Sequence, residues 1–322
     1  MSTDKSVAVG VELAGKGTTV ALIDRRGRVR HRLHARTLMG RPAIATIEPT
    51  VRSIESVLAY ALSEGFKVRG VGISLPGTLD NDGRRPLQIP TLSALNDFPL
   101  CDYLEARYNL PVKLRVDVDA ALLGEHRFGA GKGVSRLLFL TVNAVVGASL
   151  VVDGQLEQSA QQYVGHIGHI SHMHVTTNGP RCSCGKRGCI NTLVSIDAMQ
   201  KMVQRALRRG EQTSLTQRLL NRECFTPQLL AEEAERGDSV ALHVYSEVGR
   251  WLGLATTRYI DVFEPHKLIL AGESLSSSDL LLKHVRQALM TRSSSNVCTM
   301  VDVVPARLGS DASLIGSVVP LF

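Results

Sequence analysis

Aromatic residues are scarce in this 322-residue chain, at 4% with a single tryptophan. That scarcity bears on the formal charge of +7, which would otherwise invite a nucleic-acid reading. Basic residues are scattered, at Arg25 to Arg36, Arg84 and Arg85, and Arg205 to Arg209, with no aromatics interleaved to stack on bases. A solvated basic surface is the expectation. No apolar run approaches the ~20 residues that a membrane span needs. The N-terminus, MSTDKSVAVG, lacks the basic and apolar regions of a signal peptide. A cytoplasmic protein with no membrane contact is expected. Repeats and low-complexity linkers are missing as well, which removes solenoids and strings of modules. At 44% hydrophobic and 21% charged, the chain is long enough for two packed lobes.

What the chain does have is concentrated between residues 165 and 191, GHIGHISHMHVTTNGPRCSCGKRGCIN. Three of the six cysteines, Cys182, Cys184 and Cys189, fall there with His166, His169, His172 and His174. A borderline-soft cation takes thiolate and imidazole ligands in fours, so this density points to one tetrahedral zinc. Gly185 and Gly188 let three cysteines within eight residues wrap one ion. The fourth ligand is expected to be a histidine from the preceding segment. The competing readings are a disulfide, which would leave one of the three unpaired, or ordinary core thiols.

Along the chain, Val7–Leu13, Thr18–Asp24 and Val29–His34 read as strands separated by Gly-containing turns. Ile54–Glu64 carries Ile54, Val57, Leu58 and Leu62 three and four apart and reads as a helix. Val68–Ser74 and Val112–Val118 read as strands and Leu100–Tyr108 as a helix, with Asp119 a candidate helix N-cap. Arg136–Val142 opens a second strand set. Helices are expected at Ser195–Arg209, Pro227–Arg236, Ser239–Val262 and Leu281–Leu289, a strand at Val301–Pro305, and a last helix within Gly309–Val319. The Met and Leu stripes of these helices have core spacing.

The run GHIGH followed by CSCGKRGC resembles the signature of the ROK family of sugar kinases and sugar-responsive repressors. Other landmarks occur in order over nearly the whole chain. The loop Leu75-Pro76-Gly77-Thr78-Leu79-Asp80 is similar to the family's G-x-x-x-P-G-x-x-D, and Val116-Asp117-Val118-Asp119-Ala120-Ala121 to its N-D-x-N-A-A. The resemblance implies an α/β, two-lobed, actin-like (ribonuclease-H-like) sugar kinase fold. The lobes expected are 1–120, joined by a C-terminal helix at about 305–322, and 121–304, which carries the zinc segment.

It also implies roles by position. Asp117 falls where the family keeps the base that deprotonates the sugar hydroxyl. Its competing reading is a strand-end carboxylate capping the next helix. Gly77, Thr91, Val116, His166 and Asn191 fall at sugar-contact positions, and the family's Asn, Asn, Glu and Glu have become Thr91, Val116, His166 and Asn191. Zinc is expected on His169, Cys182, Cys184 and Cys189; in a second register His172 replaces His169.

Three glycine loops that hold nucleotide in the kinases are altered. Near Gly15 the first turn reads Glu12-Leu13-Ala14-Gly15-Lys16-Gly17, for which a plain hairpin is favoured. Near Gly147 the second reads Thr141-Val142-Asn143-Ala144-Val145-Val146-Gly147, with β-branched bulk where backbone should meet phosphate. Near Gly272 the adenosine turn reads Ala271-Gly272-Glu273, which adds an anion. The expectation is therefore an effector-sensing domain of the transcriptional-regulator type that binds a small sugar-like molecule without phosphorylating it, and forms a dimer or tetramer. The first strand begins near residue 7, leaving no room for the repressors' helix-turn-helix, so no DNA-binding motif is expected in this chain. One alternative is an ATP- and Mg²⁺-dependent kinase of a hexose or N-acetylhexosamine, with Asp117 as base. A second is a structural subunit stapled by zinc.

Overall fold

In the computed structural model, residues 5–15, 17–157, 170–276, 279–292 and 300–322 are described. The described residues divide into two compact units: 5–133 with 155–157 and 310–322, and 134–154 with 170–309.

In the first unit, β1 (Ser6–Ala14) is apolar on both faces because it is the central strand of five. β2 (Gly17–Asp24) returns antiparallel, with Ala14 opposite Gly17, so the first glycine turn is a tight hairpin. β3 (Val29–Ala35) follows antiparallel at the sheet edge. Helix α1 (Ala43–Ser63) leads to β4 (Lys67–Leu75), which lies parallel to β1. β5 (Thr78–Leu79) and β6 (Pro86–Gln88) pair as a small ribbon. α2 (Leu100–Tyr108) then precedes β7 (Val112–Val116), parallel to β4, and α3 (Asp117–Phe128).

Three expectations are corrected here. α1 starts eleven residues before Ile54: Pro49 lies inside it, yet the buried stripe runs on upstream through Ile47 and Val51. β7 stops at Val116 and the helix begins at Asp117, two residues before the expected end of the strand. Asp119 is therefore no N-cap; it sits in the first turn, 4% exposed, and Val116 holds the cap position without a side-chain bond.

The first compact unit runs through Gly133, because α3 packs within it. The partner of α3 is the helix Ala312–Ser317. The two touch backbone to backbone: a Cβ on Gly124 would lie 2.6 Å from the Ala312 carbonyl oxygen, and one on Gly316 only 1.6 Å from that of Ala120. A Cβ on Gly72 of β4 would likewise meet the Ser317 oxygen at 2.1 Å. Residues 312–317 thus fill a slot that only glycines leave open.

In the second unit β8 (Leu137–Val142) pairs antiparallel with β9 (Val146–Val152), and the two-residue β10 (Gln155–Leu156) comes next in the chain. Helices α4 (Asn191–Val194), α5 (Ile196–Arg208), α6 (Leu215–Leu220), α7 (Pro227–Glu235) and α8 (Ser239–Phe263) follow. Ser195, Thr226 and Asp238 cap α5, α7 and α8, each accepting a backbone N–H with its side chain. β11 (Lys267–Ala271) lies between β8 and β12 (Asp302–Pro305), parallel to both. α9 (Glu273–Ser276) and α10 (Leu280–Arg292) lie between β11 and β12 in the chain, and α10 packs on α8. No helix among the described residues is long and apolar enough to cross a membrane.

Candidate functional site

The cysteine segment is folded by its own backbone before any ligand is considered. Cys182 N–H donates to the Lys186 carbonyl and Gly185 N–H to that of Cys182, closing a turn that brings the first two thiols together. The chain then doubles back: Gly188 N–H reaches the Pro180 oxygen, Val175 N–H that of Gly188, and Ile190 N–H that of Met173. Gly188 has φ +66°, and a Cβ there would lie 1.7 Å from the Thr176 oxygen, so no other residue fits.

The result places one nitrogen or sulfur of His172, Cys182, Cys184 and Cys189 all within 4.8 Å of one another. Cys182 Sγ is 3.4 Å from His172 Nδ1, and Cys184 Sγ is 3.6 Å from Cys189 Sγ. Tetrahedral zinc, with bonds of roughly 2.0–2.3 Å, would set its ligands about 3.3–3.8 Å apart. The cluster could hold a metal ion. Burial alone would raise the Cys182 thiol, but hydrogen bonds from the Cys184 backbone and from the Cys184, His172 and Cys189 side chains bring it down to about 6. Burial, with the Cys184 and Cys182 sulfurs beside it, pushes Cys189 up to about 12. The histidine gathered here is that of the second register. His169 and His166 lie outside the described residues.

The hairpin between β8 and β9 consists of Asn143, Ala144 and Val145. Val146 is 2% exposed, and its N–H donates to Asn191 Oδ1 at 2.9 Å. Asn143 Oδ1 accepts the Glu273 N–H at 3.0 Å, and its backbone oxygen accepts the Ile196 N–H at 3.1 Å. Gly272, at φ +114°, lies so close that a Cβ would stand 2.3 Å from the Val142 oxygen. The β8–β9 hairpin and the turn at Gly272 are thus fastened to each other, and one amide N–H group of each segment, on Val146 and Glu273, is already engaged by an asparagine side chain. Asn143 went unremarked in the sequence; its signal was an amide inside a valine run where glycine was expected. Asn191, expected at the sugar, has its carbonyl oxygen committed to this hairpin.

In the first unit, Asp117 opens α3 and accepts the Val118 N–H at 2.8 Å. Burial pushes its carboxyl up to about 6, against the lowering effect of backbone N–H groups. Glu12, also raised mainly by burial, is held down by a hydrogen bond from Ser313 and by Arg32, while the Asp117 and Asp311 carboxylates push it further up. Arg32 pairs with Asp311 at 2.5 Å, and the Ser313 and Ser74 hydroxyl oxygens lie 2.7 Å apart. Thr91 lies against the first hairpin: a Cβ on Gly15 would meet the Thr91 Cβ at 2.7 Å. That contact gives Gly15 a packing role. Gly77, at φ +120°, would meet the Gln88 oxygen at 1.9 Å if it carried a Cβ. Val116 is fully buried and presents no side chain to a ligand. Lys16 lies outside the described residues.

A family model described as the ROK family matches residues 8–320. A glucokinase from Thermotoga maritima is 27% identical over 96% of this chain and 95% of its own length. The DNA-binding transcriptional dual regulator NagC of Escherichia coli K12 is also 27% identical, over 94% of this chain and 72% of its own. Among solved structures, a ROK family transcriptional regulator, a homologue of the E. coli MLC protein, superposes with a TM-score of 0.88 at 24% identity, covering 98% of this chain and 78% of that one.

Proposed function

Because the chain belongs to the ROK family, whose relatives here include a glucokinase and a sugar-linked regulator, we propose that it binds a small sugar or sugar derivative as an effector and does not phosphorylate it. The observation that carries this reading is the fastening of the β8–β9 hairpin. A phosphate needs converging bare N–H groups, whereas here Val146 N–H is bound by Asn191 and Glu273 N–H by Asn143. Asp117 and Thr91 are assigned to the sugar, with Gly77 shaping the loop beside them. Asp117 accepts hydrogen bonds from sugar hydroxyls as a buried, charge-assisted partner.

We assign zinc to His172, Cys182, Cys184 and Cys189. Bound there, the ion holds the strand-like returns at 173–175 and 188–190 together and supplies no chemistry to a reaction.

The runner-up is the ATP-dependent sugar kinase, favoured by one observation: a carboxyl raised to about 6 is suited to general-base work near neutral pH. Titration with Mg-ATP, followed by an ADP-release assay across neutral and N-acetylated hexoses, separates the two. The sensor reading expects no nucleotide binding and no turnover. Turnover of ~1 s⁻¹ or more, abolished by Asp117→Ala, would establish the kinase.

A further inference from the structure

We propose that the open edge of β3 is a docking strand for an extended acidic segment of a partner protein, a role independent of the sugar reading. β3 ends its sheet order, so on one side no described strand lies beside its backbone N–H and C=O groups. Its side chains divide by face. His31 stacks on Tyr60 of α1 with ring centroids 4.3 Å apart, and Leu33 and Ala35 alternate onto that same, partly buried side; a register shift against β2 between Val29 and His31 interrupts the alternation there. The other face carries Arg30, Arg32 and His34, continued by Arg36 beyond the strand end, and all four are exposed; Arg28, also exposed, lies on the far side of the register shift. At about 6.8 Å per two residues, this is a row of basic groups roughly 20 Å long. No acidic residue occurs from Arg25 to Arg36.

Two members of the row are pre-positioned. Arg30 is held by Asp24 at 2.6 Å and Arg32 by Asp311 at 2.5 Å, yet their side chains remain 43% and 33% exposed. Each guanidinium has five N–H donors, so one carboxylate does not exhaust it.

The chemistry of the partner follows from the edge as much as from the charges. A peptide strand satisfies both N–H and C=O groups of an open edge, and an Asp or Glu at every second position stands opposite the arginines, about 4.5–5.5 Å away on the same face. A nucleic-acid backbone would meet the cations but set its phosphates against the edge carbonyl oxygens, and the row offers no aromatic residue for stacking. A second copy would oppose arginine to arginine.

The test uses the full-length chain and a fluorescein-labelled peptide of about nine residues, enough to span β3, alternating Glu with Thr and Val. Saturable binding should weaken at least about tenfold between roughly 50 and 300 mM salt. The Arg36→Glu variant should lose about threefold or more in affinity; Arg36→Gln should show a smaller loss and serves as the reading if charge reversal disturbs folding. A peptide of equal charge with a central proline should lose most binding, because proline removes a ladder N–H. No binding of the alternating peptide, equal binding of the proline peptide, or unchanged affinity in both variants overturns the proposal. So does a short DNA duplex that binds more tightly and that the peptide does not displace.

Discussion

Replacing Asn191 by alanine tests the fastened hairpin directly. The substitution removes the oxygen that accepts the Val146 N–H, a group on a residue only 2% exposed. A buried donor left without its partner costs its desolvation, about 1–3 kcal/mol. Alanine at the start of α4 adds no helix penalty of its own. Trp251, the only tryptophan, lies in α8 of the second unit, so its fluorescence reports unfolding of the unit that holds the hairpin. With a urea m-value of about 2 kcal/mol/M, the midpoint should fall by roughly 0.5–1.5 M. Asn191→Asp keeps an acceptor oxygen and should fall less. Zinc content is measured in parallel, because Cys189 is two residues away. A midpoint unchanged within error, with metal retained, would refute the claim that this amide supports the hairpin.

Purified protein should carry about one zinc per chain, and His172→Ala should release it while His169→Ala does not, as read by elemental analysis. Gly188→Ala should abolish metal retention without a change in any ligand, because its Cβ would occupy the position of the Thr176 oxygen. Asp117→Asn should stabilise the unliganded protein at pH 7.5 by about 1–3 kcal/mol and have no effect at pH 3.5, read as urea midpoints. The sign follows from a folded-state carboxyl at about 6 against an ordinary 3.8: the folded state holds the proton longer, so a stability penalty develops as pH rises from about 4 to 6 and persists above. The same variant should weaken sugar binding, because a charge-assisted hydrogen bond becomes a neutral one.

The strands of both units were legible because their apolar runs are short and end at turns, as in Val7–Leu13 and Arg136–Val142. The start of α1 was not, since Pro49 is a strong breaker signal that tertiary packing of Ile47 and Val51 overrides. The end of β7 was hidden because Val118 and Asp119 continue an alternating pattern that the helix then absorbs. The three cysteines pointed to a cluster that could hold a metal ion, but segment length favoured His169, whereas the histidine among the described residues at the cluster is His172. That choice depends on the turn at Cys182 and the return at Gly188, which are set by backbone hydrogen bonds between residues far apart in pattern. Asn143 illustrates the same boundary: two of its partners, Glu273 and Ile196, are 130 and 53 residues distant, and no local pattern points to them.

The slot between α3 and β4 that receives residues 312–317 also orders the protein's assembly in time. Gly72 and Gly124 emerge from the ribosome with the first unit, but the helix that covers them is translated only after all of 134–309. At roughly 5–20 residues per second, that interval is about 9–35 seconds. During it, the first unit waits with the slot beside Gly72 and Gly124 open. A purified chain truncated after residue 309 should therefore have a protease-sensitive first unit, because it lacks the contact of Gly316 with Ala120.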